Sequence, residues 1–156
     1  MGDTAAVATE KPTPQYNRIS PPHPRPSVLL VDDDPYIVAA MQRNFHPYDI
    51  DLHVAFHGFQ GVTEALACEP DLVITDLQMP VASGIELMQC LSHITRTRSV
   101  PIIIITGRHN VTLSKRLRSL GVEAILEKPV SFEDLSYQMS QFIRFEKQPL
   151  PSQPAK

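Results

Sequence analysis

DLVITDLQMPVASGIEL, residues 71–87, holds a strand, a turn and the start of a helix in one stretch. Leu72-Val73-Ile74-Thr75 is a short continuous apolar run rich in β-branched side chains. Such a run, without the alternation of a half-exposed strand, marks a strand buried on both faces, as in a parallel sheet. An acid, Asp76, stands immediately after it and opens DLQMP, which reads as a turn, and Ile85, Met88 and Leu91 then recur at helical spacing.

The same grammar repeats on either side. Val28-Leu29-Leu30-Val31 and Ile102-Ile103-Ile104-Ile105 are further apolar runs, and Leu52 to Phe56 and Val122 to Leu126 are weaker ones suited to flanking strands. Helical patterns fall between them. Pro35 opens the first, as proline at a first helical turn does, with Ile37, Met41 and Phe45 as its stripe. Val62, Ala65 and Leu66 mark the second. Leu113, Leu117 and Leu120 mark the fourth, closed by Gly121 at a C-terminal cap position. Ser131 caps the fifth, with Asp134 three residues on and Leu135, Met139 and Phe142 as its face. Five strands and five helices in strict alternation, joined by right-handed crossovers, predict a doubly wound α/β fold around a five-stranded parallel sheet.

Proline placement draws the boundaries. Of fifteen prolines, six lie in residues 1–26 and three in 149–154. Residues 1–26 are therefore expected to be a disordered Pro-rich arm, 27–146 the folded domain and 147–156 a disordered tail. Apolar residues at 42% and charged residues at 20% suffice for one buried core. A net charge of −3 gives no electrostatic footprint for nucleic acid, and the eleven residues after Phe145 are expected to hold no DNA-binding helix pair, so the chain reads as a stand-alone regulator or as one module of a longer one. No signal peptide, membrane span or lipidation pattern is visible, so a cytoplasmic protein without membrane contact is expected. Cys68 and Cys90 have no metal-ligand spacing and read as reduced, buried side chains. His53 and His57 are four apart, but on a strand running into a turn, where that spacing does not bring ligands together.

In a sheet of this kind the ligand site lies at the carboxyl ends of the strands. Asp32, Asp33 and Asp34 follow the first run, Asp76 the third, Thr106 and Gly107 the fourth, and Glu127, Lys128 and Pro129 the fifth. Singly, each has a plain explanation: DDDP suits a solvated helix N-terminus, and a Thr ends many strands. Together, in order and all at strand ends, they do not. Converging carboxylates repel unless a cation joins them, and Mg²⁺ pairs one or two carboxylates with phosphate oxygens. A metal, a lysine and a hydroxyl screen a carboxylate nucleophile attacking phosphorus. The parts fit phosphoryl transfer onto an aspartate.

VLLVDDDP, DLVITDLQMPVASGIEL, PIIIITGR and AILEKPV resemble the corresponding segments of bacterial two-component response regulator receiver domains, the chemotaxis-regulator-like family, over about residues 27–146. The resemblance implies a flavodoxin-like sheet of order 2-1-3-4-5. It implies that Asp76 is the phosphoacceptor, charged by a sensor histidine kinase or a histidine phosphotransfer protein. Asp33, Asp76 and the backbone carbonyl of Gln78 are implied as Mg²⁺ ligands, with Asp32 acting largely through water. Thr106 and Lys128 are implied to hold phosphoryl oxygens, and Lys128–Pro129 to be cis. Asp34 is the helix-entry acid rather than a ligand. The chain is then a self-phosphorylating module rather than a turnover enzyme, signalling by phosphorylation-dependent contact with a downstream protein the sequence does not identify.

Gly107 stands where alanine is frequent in the family. Gln78 and Arg108 occupy positions that tune loss of the acyl phosphate in relatives, and Ile125 replaces an aromatic residue that many receivers use as a reporter. Two other readings remain at this point. Asp32-x-Asp34 faintly resembles the first motif of haloacid-dehalogenase-like phosphatases, although Tyr36 departs from it and the acids after the lysine, Glu133 and Asp134, fall in a helix pattern. A receiver that binds partners without phosphorylation is the other, and Lys115, Arg116 and Arg118 give the fourth helix a basic face for an acidic partner.

Overall fold

The computed structural model describes residues 25–107 and 110–149. The expected disorder of the arm and tail, and the position of Arg108, fall outside them, apart from the residues at the inner ends. Strands β1 (Ser27–Val31), β2 (Asp51–Ala55), β3 (Leu72–Asp76), β4 (Ile102–Thr106) and β5 (Ala124–Glu127) alternate with helices α1 (Pro35–Phe45), α2 (Gly58–Cys68), α3 (Gly84–His93), α4 (Val111–Ser119) and α5 (Phe132–Met139). All strand pairs are parallel, in the order β2-β1-β3-β4-β5.

The continuous apolar runs are explained by where alternate side chains go. Leu29, Val31, Val73, Ile102 and Ile104 face one core with Ala65, Leu87, Leu91 and Leu117 of α2, α3 and α4. Val28, Leu30, Leu72, Ile74, Ile103 and Ile105 face the other, with Val38, Met41, Leu135 and Met139 of α1 and α5. Each residue of β1, β3 and β4 is buried, so these strands carry no polar face.

Helix starts follow their capping chemistry. Asp34, His57, Ser83, Asn110 and Ser131 each accept a hydrogen bond from a first-turn amide, and Ser83 with Glu86 completes a capping box. Gly121, just past α4, has φ +90, as its place after a helix end predicts.

Some expectations need correction. Cys90 is exposed and Cys68 only half-buried, because both point away from the packed stripes of α3 and α2. Leu120 is 37% exposed, since α4 ends at Ser119 and the stripe is not continued past it. In α1, Val38 is buried where Ile37 is only partly so. The flanking strands sit at 51–55 and 124–127, displaced by one or two residues from the weaker apolar runs.

The inner ends of both flanking segments are bonded to the domain. Asp51 N–H donates to the Pro26 carbonyl, and Gln148 N–H to the Pro47 carbonyl. Lys147 pairs with Tyr48 in an antiparallel bridge.

Candidate functional site

Asp76 and Thr106 are the last residues of β3 and β4, while Asp32 and Lys128 directly follow β1 and β5. The four therefore share the carboxyl rim of the sheet. Asp32, Asp76 and Thr106 are buried, while Asp33 is exposed. Oxygens of Asp32, Asp33 and Asp76 lie within 4.8 Å of one another, close enough to ligate a single cation. Thr106 stands one residue past Ile105, the register partner of Asp76.

Lys128 is fixed between two of these acids. Its Nζ is 3.1 Å from Asp32 Oδ2 and 3.5 Å from Asp76 Oδ2, and its backbone N–H donates to the Thr106 carbonyl. Burial acts to lower the Lys128 pKa, but the hydrogen bond and charge of Asp32, then Asp76, outweigh it and hold the ammonium above its ordinary value. Burial pushes the Asp76 carboxyl up. The Lys128 charge opposes this, the Asp32 charge reinforces it, and the net shift is upward.

Backbone groups complete the setting. The Gln78 N–H reaches Asp76 Oδ1 at 3.4 Å, and Asp32 Oδ1 accepts from the Asp34 N–H at 2.9 Å. Asp34 turns to cap α1, accepting from the Tyr36 N–H at 2.8 Å, which agrees with its assignment as the helix-entry acid. The Lys128–Pro129 bond is cis. Glu133 and Asp134 lie in the first turn of α5, with the Ser131 hydroxyl donating to Asp134 Oδ2. Neither belongs to the cluster of Asp32, Asp33 and Asp76, so the acids after the lysine add nothing to that cation site, against the phosphatase reading.

Two contributors escaped the sequence reading. The Thr75 hydroxyl donates to the Asp76 carbonyl at 2.8 Å. Gly84 N–H donates to the Leu77 carbonyl, and a Cβ on Gly84 would stand only 2.3 Å from the Asp76 carbonyl oxygen. The glycine opening α3 lets that helix press against the backbone of the acid itself. Its place at the start of the helical period was the available signal.

A family model for the response regulator receiver domain matches residues 28–139. The chain belongs to that family. This receiver domain is 32% identical over 113 residues to hybrid signal transduction histidine kinase D of Dictyostelium discoideum, covering 72% of this chain and 7% of that protein. It is 27% identical over 119 residues to the DNA-binding dual master transcriptional regulator RpaA of Synechocystis, covering 76% of this chain and 49% of that protein. The chain thus spans half or less of the length of these relatives. Among solved structures, the receiver superposes on chemotaxis protein CheY4 of Vibrio cholerae with a TM-score of 0.71 at 22% identity, covering 76% of this chain and 99% of that one. That likeness is one of fold. No helix among the described residues is long and apolar enough to cross a membrane.

Proposed function

We propose that this receiver accepts a phosphoryl group on Asp76 from the phosphohistidine of a sensor histidine kinase or histidine phosphotransfer protein, in a Mg²⁺-dependent reaction. The observation that carries this is the close approach of Asp32, Asp33 and Asp76 beside a lysine ammonium that already bridges two of them. Three acids held this near with one ammonium leave a net negative site, and the all-oxygen donor set suits a hard divalent cation. Asp33, Asp76 and the Gln78 carbonyl would hold it, with Asp32 acting through water. Bound Mg²⁺ supplies charge neutralisation between the carboxylate and the incoming phosphoryl oxygens.

The chain's own residues do the rest. Asp76 attacks phosphorus through a carboxylate oxygen, a P–O bond forms and the P–N bond to the donor imidazole breaks. The bonding pair returns to that nitrogen, which regains a proton. Lys128, charged throughout, stands ready to pair with a phosphoryl oxygen as Asp76 loses its own charge to the acyl phosphate. Thr106 at the end of β4 donates its hydroxyl to another. The module is then read by a downstream protein through contacts that differ between the two states.

Intact-mass measurement with acetyl phosphate tests this. One phosphoryl group should be gained in Mg²⁺, none in chelator and none by Asp76→Ala. A phosphorylated Asp76→Ala protein would sink the assignment.

A further inference from the structure

Seven large hydrophobic residues are exposed among the described residues, and three of them lie on two segments that are bonded to each other at the carboxyl rim of the sheet. Phe56 and Phe59 flank the start of α2 at 42% and 55% exposure, and Val81 is 75% exposed in the β3–α3 loop. The two segments are locked to each other: Gly58 N–H donates to the Ala82 carbonyl at 3.0 Å, and a Cβ on Gly58 would meet that carbonyl oxygen and the Ala82 Cβ at 2.9 Å. The Phe56 N–H is held by the Gln60 side chain at 2.8 Å, so the backbone presenting these rings is fixed. Val81 has φ +72, and the Ala82 N–H donates back to the Pro80 carbonyl across it, a strained γ-turn that pushes a β-branched side chain outward. Of the other four, Tyr36 and Val111 open α1 and α4 at the same rim, each on an element of its own, while Leu120 follows the end of α4 and Tyr137 lies along α5.

Adjacent, rigid and apolar surface at the mouth of a site marks a contact for another macromolecule. We propose that Phe56, Phe59 and Val81 form an apolar docking wing for the phosphohistidine protein that charges Asp76, a role that rests on Asp76 being the acceptor. Asp76 is only 7% exposed, at the floor of the rim. A protein that brings a phosphoimidazole to bonding distance of its carboxylate must therefore overlie the loops bordering it, and the β3–α3 loop carrying Val81 is one of them. The wing continues that obligatory contact toward α2. It suits apolar side chains flanking the phosphohistidine on the donor's helix. A downstream reader or a second copy of the chain has no such need to cover the acceptor.

The test compares two donors, acetyl phosphate and a phosphorylated histidine phosphotransfer domain, the latter chosen from a panel as the fastest on the unaltered chain. The variants are Phe56→Ser/Phe59→Ser and, should that pair fold poorly, Phe59→Glu alone. The expected result is a loss of about tenfold or more in kcat/KM from the protein donor, with the acetyl phosphate rate unchanged. Unaltered transfer from the protein donor overturns the wing. So does a parallel loss with both donors, which would make the rings supports of the site. Loss of self-association with protein transfer retained would assign the patch to a second copy instead. An unaltered chain charged by acetyl phosphate but by no protein donor also retires the wing, whereas one charged by neither overturns the acceptor reading itself.

Discussion

Asp76 is held at a strand end where burial and the neighbouring Asp32 both oppose its charge, and Lys128 only partly compensates. The consequence for stability has a definite sign. Because the folded pKa lies above the unfolded one, the native state binds the proton more readily between the two values. The charge therefore costs stability above the raised pKa, and that cost is relieved as pH falls through it towards the ordinary aspartate value. Asp76→Asn should thus be more stable than the unaltered chain at neutral pH, and the difference should shrink over that window in urea melts recorded across pH. A gap that stays constant down to the ordinary aspartate range would contradict the burial argument. The same titration governs chemistry, since only the carboxylate attacks phosphorus: the initial rate with acetyl phosphate should fall with acid already above the ordinary aspartate range. Gly84 gives a second residue-scale prediction. A methyl group there cannot fit 2.3 Å from the Asp76 carbonyl oxygen, so the start of α3 or the end of β3 must move. Gly84→Ala should cost about 1–3 kcal/mol as an overpacking change and slow phosphorylation as well. Thermal unfolding and mass measurements report the two effects separately.

At the scale of elements, legibility followed burial. β1, β3 and β4 could be read directly because both faces are packed and their runs are apolar up to the polar residues that end β3 and β4. β2 and β5 are edge strands with mixed exposure, so their apolar signal is thinner and their ends shifted. The rim residues were legible for the same reason: Asp32, Asp76, Thr106 and Lys128 terminate or follow strands, and a run that stops is easy to see. Contacts made by backbone, such as Gly84 against Asp76 or Thr75 Oγ1 on the Asp76 carbonyl, leave almost no trace in side-chain pattern. The segment after α5 was illegible too, because its partners are non-local. Asp49 N–H donates to the Glu146 carbonyl, Glu146 N–H donates to Asp49 Oδ1, and the Tyr48 ring meets Phe132 and Phe145. This strap ties the end of α5 to the loop between α1 and β2. Removing residues 146–156 should lower the unfolding free energy by about 1–3 kcal/mol, from the lost hydrogen bonds and side-chain contacts. A urea midpoint equal to that of the whole chain would show that the strap adds nothing.

Across the whole molecule, the acceptor at one rim has to be read at a distance, and the sheet provides a direct mechanical route. Thr106 is joined to Lys128 by a backbone hydrogen bond of 2.9 Å, and β4 and β5 are in register with Ile104 opposite Ile125. A phosphoryl group that draws the Thr106 hydroxyl towards Asp76 therefore acts on both strands. In many relatives by resemblance, the space vacated by the threonine admits an aromatic ring from the fifth strand. Here that position is Ile125, partly buried against the core shared with α4. A β-branched side chain has few rotamers to exchange and no ring to swing. Just past Thr106, a Cβ on Gly107 would meet no atom within 4 Å, so no packed side chain opposes a backbone shift at that residue. The two states should consequently differ through backbone displacement of residues 106–111 and the start of α4, with little rearrangement at Ile125. Amide and methyl chemical shifts with and without fluoroberyllate, a non-covalent phosphoryl mimic, check this. Large amide changes over 106–111 with the Ile125 methyl signals reporting one unchanged rotamer are expected. A rotamer flip at Ile125 would refute it, because the aliphatic side chain would then be serving as the reporter after all.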